Sequence, residues 1–408
     1  MAGIYDRAII EVRVYIDGAH LHDITVKEVI LGESLTTPGL QTAVTLQSLV
    51  YDKAGAKRWG DYKGKMLTIV MTYANTPDTP IVGGNTLYIS QKIYRIDNRE
   101  LDINIGQTET LTIHACDPSL LEDAKKLVSK SWKCTMPSDI VKYALSSGCL
   151  GNNIRTDIES TGPARDYVAE NIHPFQVVAQ QANVALRDNN NPDFVHYMTF
   201  ENFGTHHFRS IKSLIGNNLG IESVLPQNRF SNAEGGQLSL LQFRRAIAFN
   251  FPCDFDLLSD LLNGIDEYGK SINTVSAWNP MNGTAFLYGG QGGTGCSGIG
   301  QGNAKEAITN KGTSEAQNGC NFEVEKYLQL RQARMGLLEK DKIKFRMTVP
   351  WQPDMHVGQK VYFVHQNKET SGDIYGTGVY LIVAMKHNIQ FGGFGTTTVD
   401  CIDANLNY

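Results

Sequence analysis

Apolar and polar positions alternate through most of this chain, and a helical period interrupts the alternation once. Residues 10–16 place valine or isoleucine at every second position, and residues 66–73 and 87–96 continue as strands. Glycine and proline separate these segments, which is typical of an antiparallel barrel or sandwich. The strand pattern returns later in the chain, in residues 238–251, 343–349, 361–364, 380–385 and 396–402.

The helical period begins at Asp117-Pro118. Asp117 is a favourable N-cap, and Pro118 fits the first helical position, where a missing N–H costs little. Apolar residues then recur on one face, so the pattern predicts a helix that reaches about Lys130. A second, shorter helix is predicted to begin at Pro137 and to end at Gly148.

The third helical segment is the most regular, and a tight hairpin follows it. Pro174 fits the first turn, and from Phe175 to Leu186 apolar residues repeat at helical spacing. Asn191-Pro192 favours a turn, and a glycine can reverse the chain between strands at 196–201 and 207–211. A helix laid on this ribbon would bury the apolar faces of both.

The hairpin is rich in aromatic residues, which admit two interpretations. Residues such as Phe194 and Phe208 could form a stacking platform for sugars or bases. Aromatic residues at alternate strand positions more often pack in a core or across strands, and we expect that role here. Arg209 is expected to form an ion pair with an acid such as Glu201 across the hairpin.

Several short motifs of these segments and of the last strands occur in a fixed order. Pro-Phe opens the third helix, Asn-Pro-x-Phe leads into the first hairpin strand, and His-Phe-Arg-Ser forms the second. Later, Val-Pro-Trp-x-Pro is followed by Val-Gly-x-x-Val and Gly-x-Tyr-Leu-Ile. In this combination the chain resembles the baseplate hub proteins of contractile-tailed bacteriophages. The residues that carry the pattern are Pro174, Phe175, Asn191, Pro192, Phe194, Phe208, Arg209, Ser210, Pro350, Trp351, Gly358 and Tyr380.

The resemblance implies an α+β, mainly β fold, with two similar antiparallel β-barrel tube domains, a helix-hairpin α+β domain and an inserted domain. Its boundaries follow from the changes of pattern. The first barrel is expected at 1–116, the α+β domain at 117–215, the second barrel at 216–251 and 340–408, and the inserted domain, with a glycine-rich loop, at 252–339.

The resemblance also implies a function and partners. Such a hub is a structural virion protein of the tail baseplate, assembled in the host cytoplasm as a homotrimer whose six barrels approximate a sixfold ring. It would link the sixfold tail tube to the threefold central spike and leave a channel for DNA. The expected partners are further copies of the chain, the spike protein and tail tube or tube-initiator proteins, with the baseplate wedge as a further candidate.

Two parts of the chain also resemble each other. Residues 110–120 align with residues 396–406, and residues 64–70 match residues 358–364 in pattern. Between these matches, Tyr88-Ile corresponds in order to Tyr380-Leu. The common order favours an internal duplication, but the generic texture of two antiparallel domains would also produce such matches.

Composition and charge narrow the class of protein. The 408 residues, 41% of them hydrophobic and 19% charged, indicate a globular chain of several domains. The net charge of -5 argues against a surface that grips nucleic acid, so DNA is expected only in transit through the channel. The N-terminal residues do not resemble a signal peptide and no apolar stretch is long enough to span a bilayer, which predicts folding in the cytoplasm without a membrane span.

The sequence predicts no catalytic, cofactor-binding or metal site. Residues 293–298 satisfy G-x-G-x-x-G, but they lie in a glycine-rich loop without the βαβ context of a nucleotide site. The seven cysteines are scattered, which favours reduced thiols over zinc, and His206 and His207, as strand neighbours, should point to opposite faces. No pair among the 42 acids stands out as that of a glycosidase. The alternative function is a tail-associated cell-wall glycan-binding or peptidoglycan-degrading protein.

Overall fold

The computed structural model describes the chain in segments in which strands dominate. The prediction of a mainly β chain is therefore confirmed, and the strands of the described residues form large antiparallel sheets. The described residues are 9–21, 24–49, 62–73, 85–102, 108–151, 154–187, 193–201, 204–216, 222–226, 243–246, 248–250, 274–279, 284–288, 306–310, 345–363, 376–390 and 394–404.

The first seven strands form an N-terminal β unit in which alternate side chains face one apolar core. In the third strand, for example, Val29 and Leu31 are buried at alternate positions. The strands are β1 (Ile9–Ile16), β2 (Ala19–His20), β3 (Ile24–Ser34), β4 (Gln41–Leu49), β5 (Met66–Tyr73), β6 (Asn85–Asp102) and β7 (Thr108–Cys116).

A helical unit follows, with its own core around the aromatic hairpin. The elements are α1 (Pro118–Asp123), β8 (Val128–Thr135), α2 (Pro137–Ala144), α3 (Ser147–Leu150), β9 (Arg155–Ile158), β10 (Arg165–Ile172), α4 (Pro174–Val184), β11 (Phe194–Thr199), β12 (Thr205–Ser210) and α5 (Ile211–Gly216). The strands form a two-stranded sheet, β10–β8, and a three-stranded sheet, β11–β12–β9.

The first helix is shorter than its pattern predicts. Asp117 caps α1 as expected, since its carboxylate accepts from the Ser119 N–H at 2.8 Å. The helix ends at Asp123, however, because the His173 Nδ1–H donates to the Asp123 carbonyl oxygen at 2.8 Å and the chain from Val128 pairs with β10. Gly148 was predicted to stop the second helix and instead lies within the short α3.

The remaining strands form a C-terminal β unit and a separate three-stranded sheet of Thr274–Asn279, Thr284–Tyr288 and Glu306–Asn310. The helices predicted at 254–262 and 324–339, and the glycine motif at 293–298, lie outside the described residues. The strands are β13 (Glu222–Pro226), β14 (Phe243–Ala246), β15 (Ala248–Asn250), β16 (Thr274–Asn279), β17 (Thr284–Tyr288), β18 (Glu306–Asn310), β19 (Phe345–Pro350), β20 (Lys360–Phe363), β21 (Gly378–Gln390) and β22 (Phe394–Asp403).

One continuous sheet joins the two β units. Within it the strands run in the order β15–β19–β22–β21–β3–β4–β7–β6, and each neighbouring pair is antiparallel. The joint between the units is the β3–β21 pair, which extends from Ser34 opposite Ala384 to Glu28 opposite Gln390. We call this pair the β3–β21 joint.

The two β units repeat the same arrangement of five strands. In the N-terminal unit, β3 pairs with β4, β4 with β7, β7 with β6 and β6 with β5. In the C-terminal unit, β15, β19, β22, β21 and β20 pair in the same succession, and the five strands follow the same order along the chain. This agreement supports a duplication.

Details of the hydrogen bonding repeat as well. Gly64 and Gly358 both have φ near +80°, and their N–H groups donate to Ile93 and Ile382, at 2.7 and 2.9 Å. A register shift follows each of these isoleucines. The threonine pair Thr45 and Thr112, whose hydroxyls lie 3.3 Å apart, recurs as Thr348 and Thr398 at 3.1 Å. Both correspondences have the register that the sequence alignment predicts.

The copies also differ. β1 is antiparallel to β5, whereas its counterpart by order, β13, is parallel to β20. The proposed match of Tyr88 with Tyr380 is wrong, because strand pairing places Tyr380 opposite Val361 and Gln91 opposite the equivalent Leu67.

The described cysteines are not uniform. Cys116, Cys149 and Cys401 are free and buried, and burial raises the pKa of Cys116 to about 11. Cys134 is disulfide-bonded, so the prediction of reduced thiols is wrong for this residue.

Candidate functional site

The residues of the sequence motif in the helical unit lie mostly in its core. Pro174 opens α4, and Phe175 packs edge-on against the rings of His196 and His206. Phe194 and Phe208 are fully buried, with ring centroids 5.1 Å apart. These aromatic rings fill the core and present no stacking platform to solvent. Asn191 and Pro192 lie outside the described residues.

Arg209 and Ser210 attach the hairpin to β9 and to the residue that follows it. The Arg209 guanidinium donates twice to the Asp157 carboxylate, at 2.6 and 2.9 Å, so the expected pair with Glu201 is wrong. Burial would raise the pKa of Asp157, but hydrogen bonds from Arg209 and His207 lower it. The N–H and hydroxyl of Ser210 donate to Glu159.

Asp157, His207 and Thr199 form a hydrogen-bonded chain on the same face of this sheet. The His207 Nδ1–H donates to Asp157 at 3.0 Å, and its Nε2 accepts from the Thr199 hydroxyl at 3.0 Å. Hydrolases use this order of hydroxyl, imidazole and carboxylate. Here Thr199 is only 2% exposed, Tyr197 stacks on the imidazole, and Arg209 already holds the carboxylate. We therefore interpret this hydrogen-bonded series of three side chains as a structural part of the three-stranded sheet.

His206 faces the other way, as predicted for a strand neighbour of His207. Its Nδ1 accepts from the His196 Nε2–H at 3.1 Å, and its Nε2–H donates to Ser119. Burial lowers the pKa of His206 to about 3 and that of His196 well below its ordinary value. Within the described segments, no cluster of three or more histidine, cysteine or acidic residues could hold a metal ion.

A buried carboxylate connects all three units. The Glu33 side chain, on β3, accepts from the N–H of Phe200 at 2.7 Å, from His356 Nδ1–H at 2.9 Å and from the N–H of Val357 at 3.0 Å. The first donor belongs to the helical unit and the other two to the C-terminal β unit. We call this set of contacts the Glu33 junction.

The ion pair within the Glu33 junction favours a charged imidazole. Burial would lower the pKa of His356, but the hydrogen bond to Glu33 and the attraction between them raise it. Beside the junction lies a cleft of about 430 Å³, between Asp157, His207 and Arg209 on one side and His356, Gln359 and Lys360 on the other. The Lys360 Nζ donates to the Ile215 carbonyl oxygen at 2.6 Å across the same boundary.

The late motif residues also join units. Pro350 ends β19, and the next residue, Trp351, packs in the core of the N-terminal β unit, edge-on to Tyr73 at 5.2 Å. Tyr380 is buried in the C-terminal core and its hydroxyl donates to the Gly376 carbonyl oxygen. Trp351 therefore ties the C-terminal segment to the first core.

Gly358→Ala is expected to lower the free energy of unfolding by about 2–3 kcal/mol, since it adds a clash to backbone strain. A Cβ at Gly358 would lie 2.9 Å from the Tyr197 hydroxyl. Gly64→Ala is the matched control, because Gly64 has nearly the same φ but nothing within 4 Å of the added Cβ. Urea unfolding of both variants measures the difference, and equal losses would contradict the role of the Tyr197 contact.

The alternation of apolar residues in β3 contains a signal for Glu33, which is not part of the motifs. Val29 and Leu31 of β3 and Leu35, the residue after its end, are buried at alternate positions, and Glu33 continues that alternation. An acid at an inward-facing strand position needs buried donors. Its donors were not predictable, since they lie 167, 323 and 324 residues away.

Comparison with known proteins is informative at the level of structure. No protein-family model and no curated protein matches the chain. Its structure is similar to the tail protein from Neisseria meningitidis MC58, with a TM-score of 0.58 and 11% identity over 98% of this chain and 97% of that one. It is also similar to the 43 kDa tail protein of prophage MuSo2 from Shewanella oneidensis, with a TM-score of 0.55 and 11% identity over 97% and 98% of the two chains.

The chain has the fold of a phage tail protein. A third similar structure is an E. coli component of the type VI secretion system that itself resembles the T4 phage tail proteins gp27 and gp5, with a TM-score of 0.51 and 10% identity over 96% of this chain and 76% of that one. These neighbours are consistent with a baseplate hub, the resemblance that the motifs predicted. Within the described part of this tail-protein fold, no helix is long and apolar enough to cross a membrane.

Proposed function

We propose that this chain is a structural virion protein, the hub of a phage tail baseplate. In this proposal three copies form a ring that links the sixfold tail tube to the threefold central spike, with a channel through which DNA passes. The observation that carries the proposal is the internal repeat within a tail-protein fold: three chains with two β units each supply six equivalent units.

The proposal includes domains and partners. Each β unit would contribute a barrel-like section of the tube, within the boundaries 1–116 and 216–251 with 340–408, while the α+β domain at 117–215 lies outside. The spike protein and the tail tube or its initiator would bind opposite ends of the ring, and the inserted domain at 252–339 is available to the wedge. The protein would assemble in the host cytoplasm and act without catalysis.

Native mass spectrometry tests the trimer. We expect three copies per particle, either for the chain alone or after co-expression with the spike protein. A stable monomer in both preparations would contradict the hub.

A turbidity assay on purified peptidoglycan tests the alternative function of a cell-wall enzyme. We expect no clearing, because the Thr199 hydroxyl, which begins the hydrolase-like series of hydroxyl, imidazole and carboxylate in the described residues, is buried. Clearing that Asp157→Asn or His207→Gln abolishes, without loss of folding, would favour the enzyme.

A further inference from the structure

The β3–β21 joint shows how one copy of the repeat attaches to the other. Along residues 384–390, β21 is paired on both edges, with β22 on one side and β3 on the other. Asn388 lies opposite Ile30, and Gln390 lies opposite Glu28. The joint therefore uses the outer edge of a long strand in one unit and the first strand of the five-strand arrangement in the other.

The equivalent strands lie at the two ends of the eight-strand path. β6 is the counterpart of β21, and β15 is the counterpart of β3. From residue 94 onward, β6 is paired with β7 on one edge, and no strand of the described chain lies along the other. β15 is paired with β19 in the described chain. The two ends of the eight-strand path are therefore equivalent to the two strands that form the joint at its centre.

The repeat also fixes a register. Thr110 is equivalent to Thr396 in the repeat. Glu100 lies opposite Thr110 and Asn388 lies opposite Thr396, so Glu100 is equivalent to Asn388. Two positions further along the two strands, Asp102 is equivalent to Gln390.

The register of the other strand follows from the equivalent threonines Thr45 and Thr348, which lie opposite Glu28 and Ala248. Ala248 is therefore equivalent to Glu28, and Asn250, two positions later, is equivalent to Ile30. Each residue pair of the β3–β21 joint therefore has an equivalent pair of residues, one in β6 and one in β15.

We propose that β6 of one copy pairs with β15 of a second copy of this chain, antiparallel, with Glu100 opposite Asn250 and Asp102 opposite Ala248. This interface rests on the proposed trimeric hub, whose ring it would close. An unpaired strand edge offers a row of backbone donors and acceptors, and a second chain can satisfy them. Because the two surfaces differ, the contact is head to tail and repeats until a ring closes.

Paired cysteines test the register. Two double variants are in register, Asp102→Cys with Ala248→Cys and Glu100→Cys with Asn250→Cys. The same four substitutions in the other combinations, 102 with 250 and 100 with 248, are matched controls that lie two residues out of register. Directly opposite residues have the Cα separation that a disulfide requires, and offset ones do not. Copper phenanthroline in air serves as the oxidant, and the parent chain gives the background from native cysteines.

We expect covalent trimers from the in-register variants, at least ~10-fold more abundant on non-reducing gels than from the controls. A mixture of the two single variants of one pair should stop at covalent dimers. Equal crosslinking of all four combinations, or none where native mass spectrometry finds the trimer, would overturn the interface but leave the hub standing. In-register products longer than three chains would support the interface and overturn the closed trimer. Monomers without crosslinks would overturn both.

Discussion

Glu33→Ala should lower the free energy of unfolding by about 3–5 kcal/mol, the typical cost when one partner of a buried ion pair is removed. The variant leaves two backbone N–H groups and the His356 imidazole without the acceptor that they share. Each buried donor that loses its acceptor costs roughly 1–3 kcal/mol. Urea unfolding followed by circular dichroism gives the difference from the parent chain.

Two further variants show whether the loss comes from the Glu33 junction. Glu33→Gln keeps the shape and one acceptor oxygen, so we expect a smaller loss, about 1–3 kcal/mol. Glu28→Ala removes another acid of the same strand, which is partly exposed, and should change stability by less than ~1 kcal/mol. A loss below 1 kcal/mol for Glu33→Ala would show that the junction contributes little.

Acidification from pH 7 to pH 5 is expected to destabilise the protein by at least ~4 kcal/mol. Burial lowers the pKa of four histidines below the value of about 6.5 that they regain on unfolding, to about 3 for His206 and about 4 for His387. The other two are His196 and His207. Below pH 6.5 the unfolded chain binds more protons than the folded one. The free energy of unfolding therefore decreases as the pH is lowered, by up to ~1.4 kcal/mol per pH unit for each histidine.

His356 acts in the opposite direction. Its pKa is raised, so its contribution is fully present below the unfolded pKa and is lost as the pH rises through the folded pKa. One such group offsets only part of the effect of four. His387→Gln should flatten the pH dependence, and urea midpoints between pH 5 and pH 7 measure it. A stability that does not change over this range would contradict the proposed neutral, buried state of these histidines.

The sequence predicts the strands well where alternation and burial coincide. β5 begins at Met66 and ends at Tyr73, as its pattern indicates, because one face of that strand packs in a core. It fails at β8, where a helical spacing of apolar residues continues past Asp123. Pairing with β10 decides that segment, and local periodicity contains no information about a partner some forty residues away.

The candidate site was predicted only in part. Composition and strand alternation identify aromatic core residues such as Phe194 and Phe208, because the burial of an apolar side chain can be predicted from its own segment. The partners of the polar residues depend on how distant strands align. The sequence therefore suggests an acid such as Glu201 as the partner of Arg209, whereas the structure pairs Arg209 with Asp157. The same applies to Glu33. The alternation of β3 indicates that its side chain faces inward, but its hydrogen-bond donors belong to other units.

The two copies of the repeat differ most in one connection. Residues 35–40 join β3 to β4, whereas residues 251–344 join the equivalent β15 and β19 and contain the β16–β18 sheet. Six separate chains of one sequence would present such an elaboration at every position around an axis. A tandem gene product can place it at alternate positions only. In the proposed trimeric ring, the long connection would therefore occur three times around the axis, whereas the repeated strands would occur six times. A mismatch between threefold and sixfold symmetry would then be accommodated within a single polypeptide.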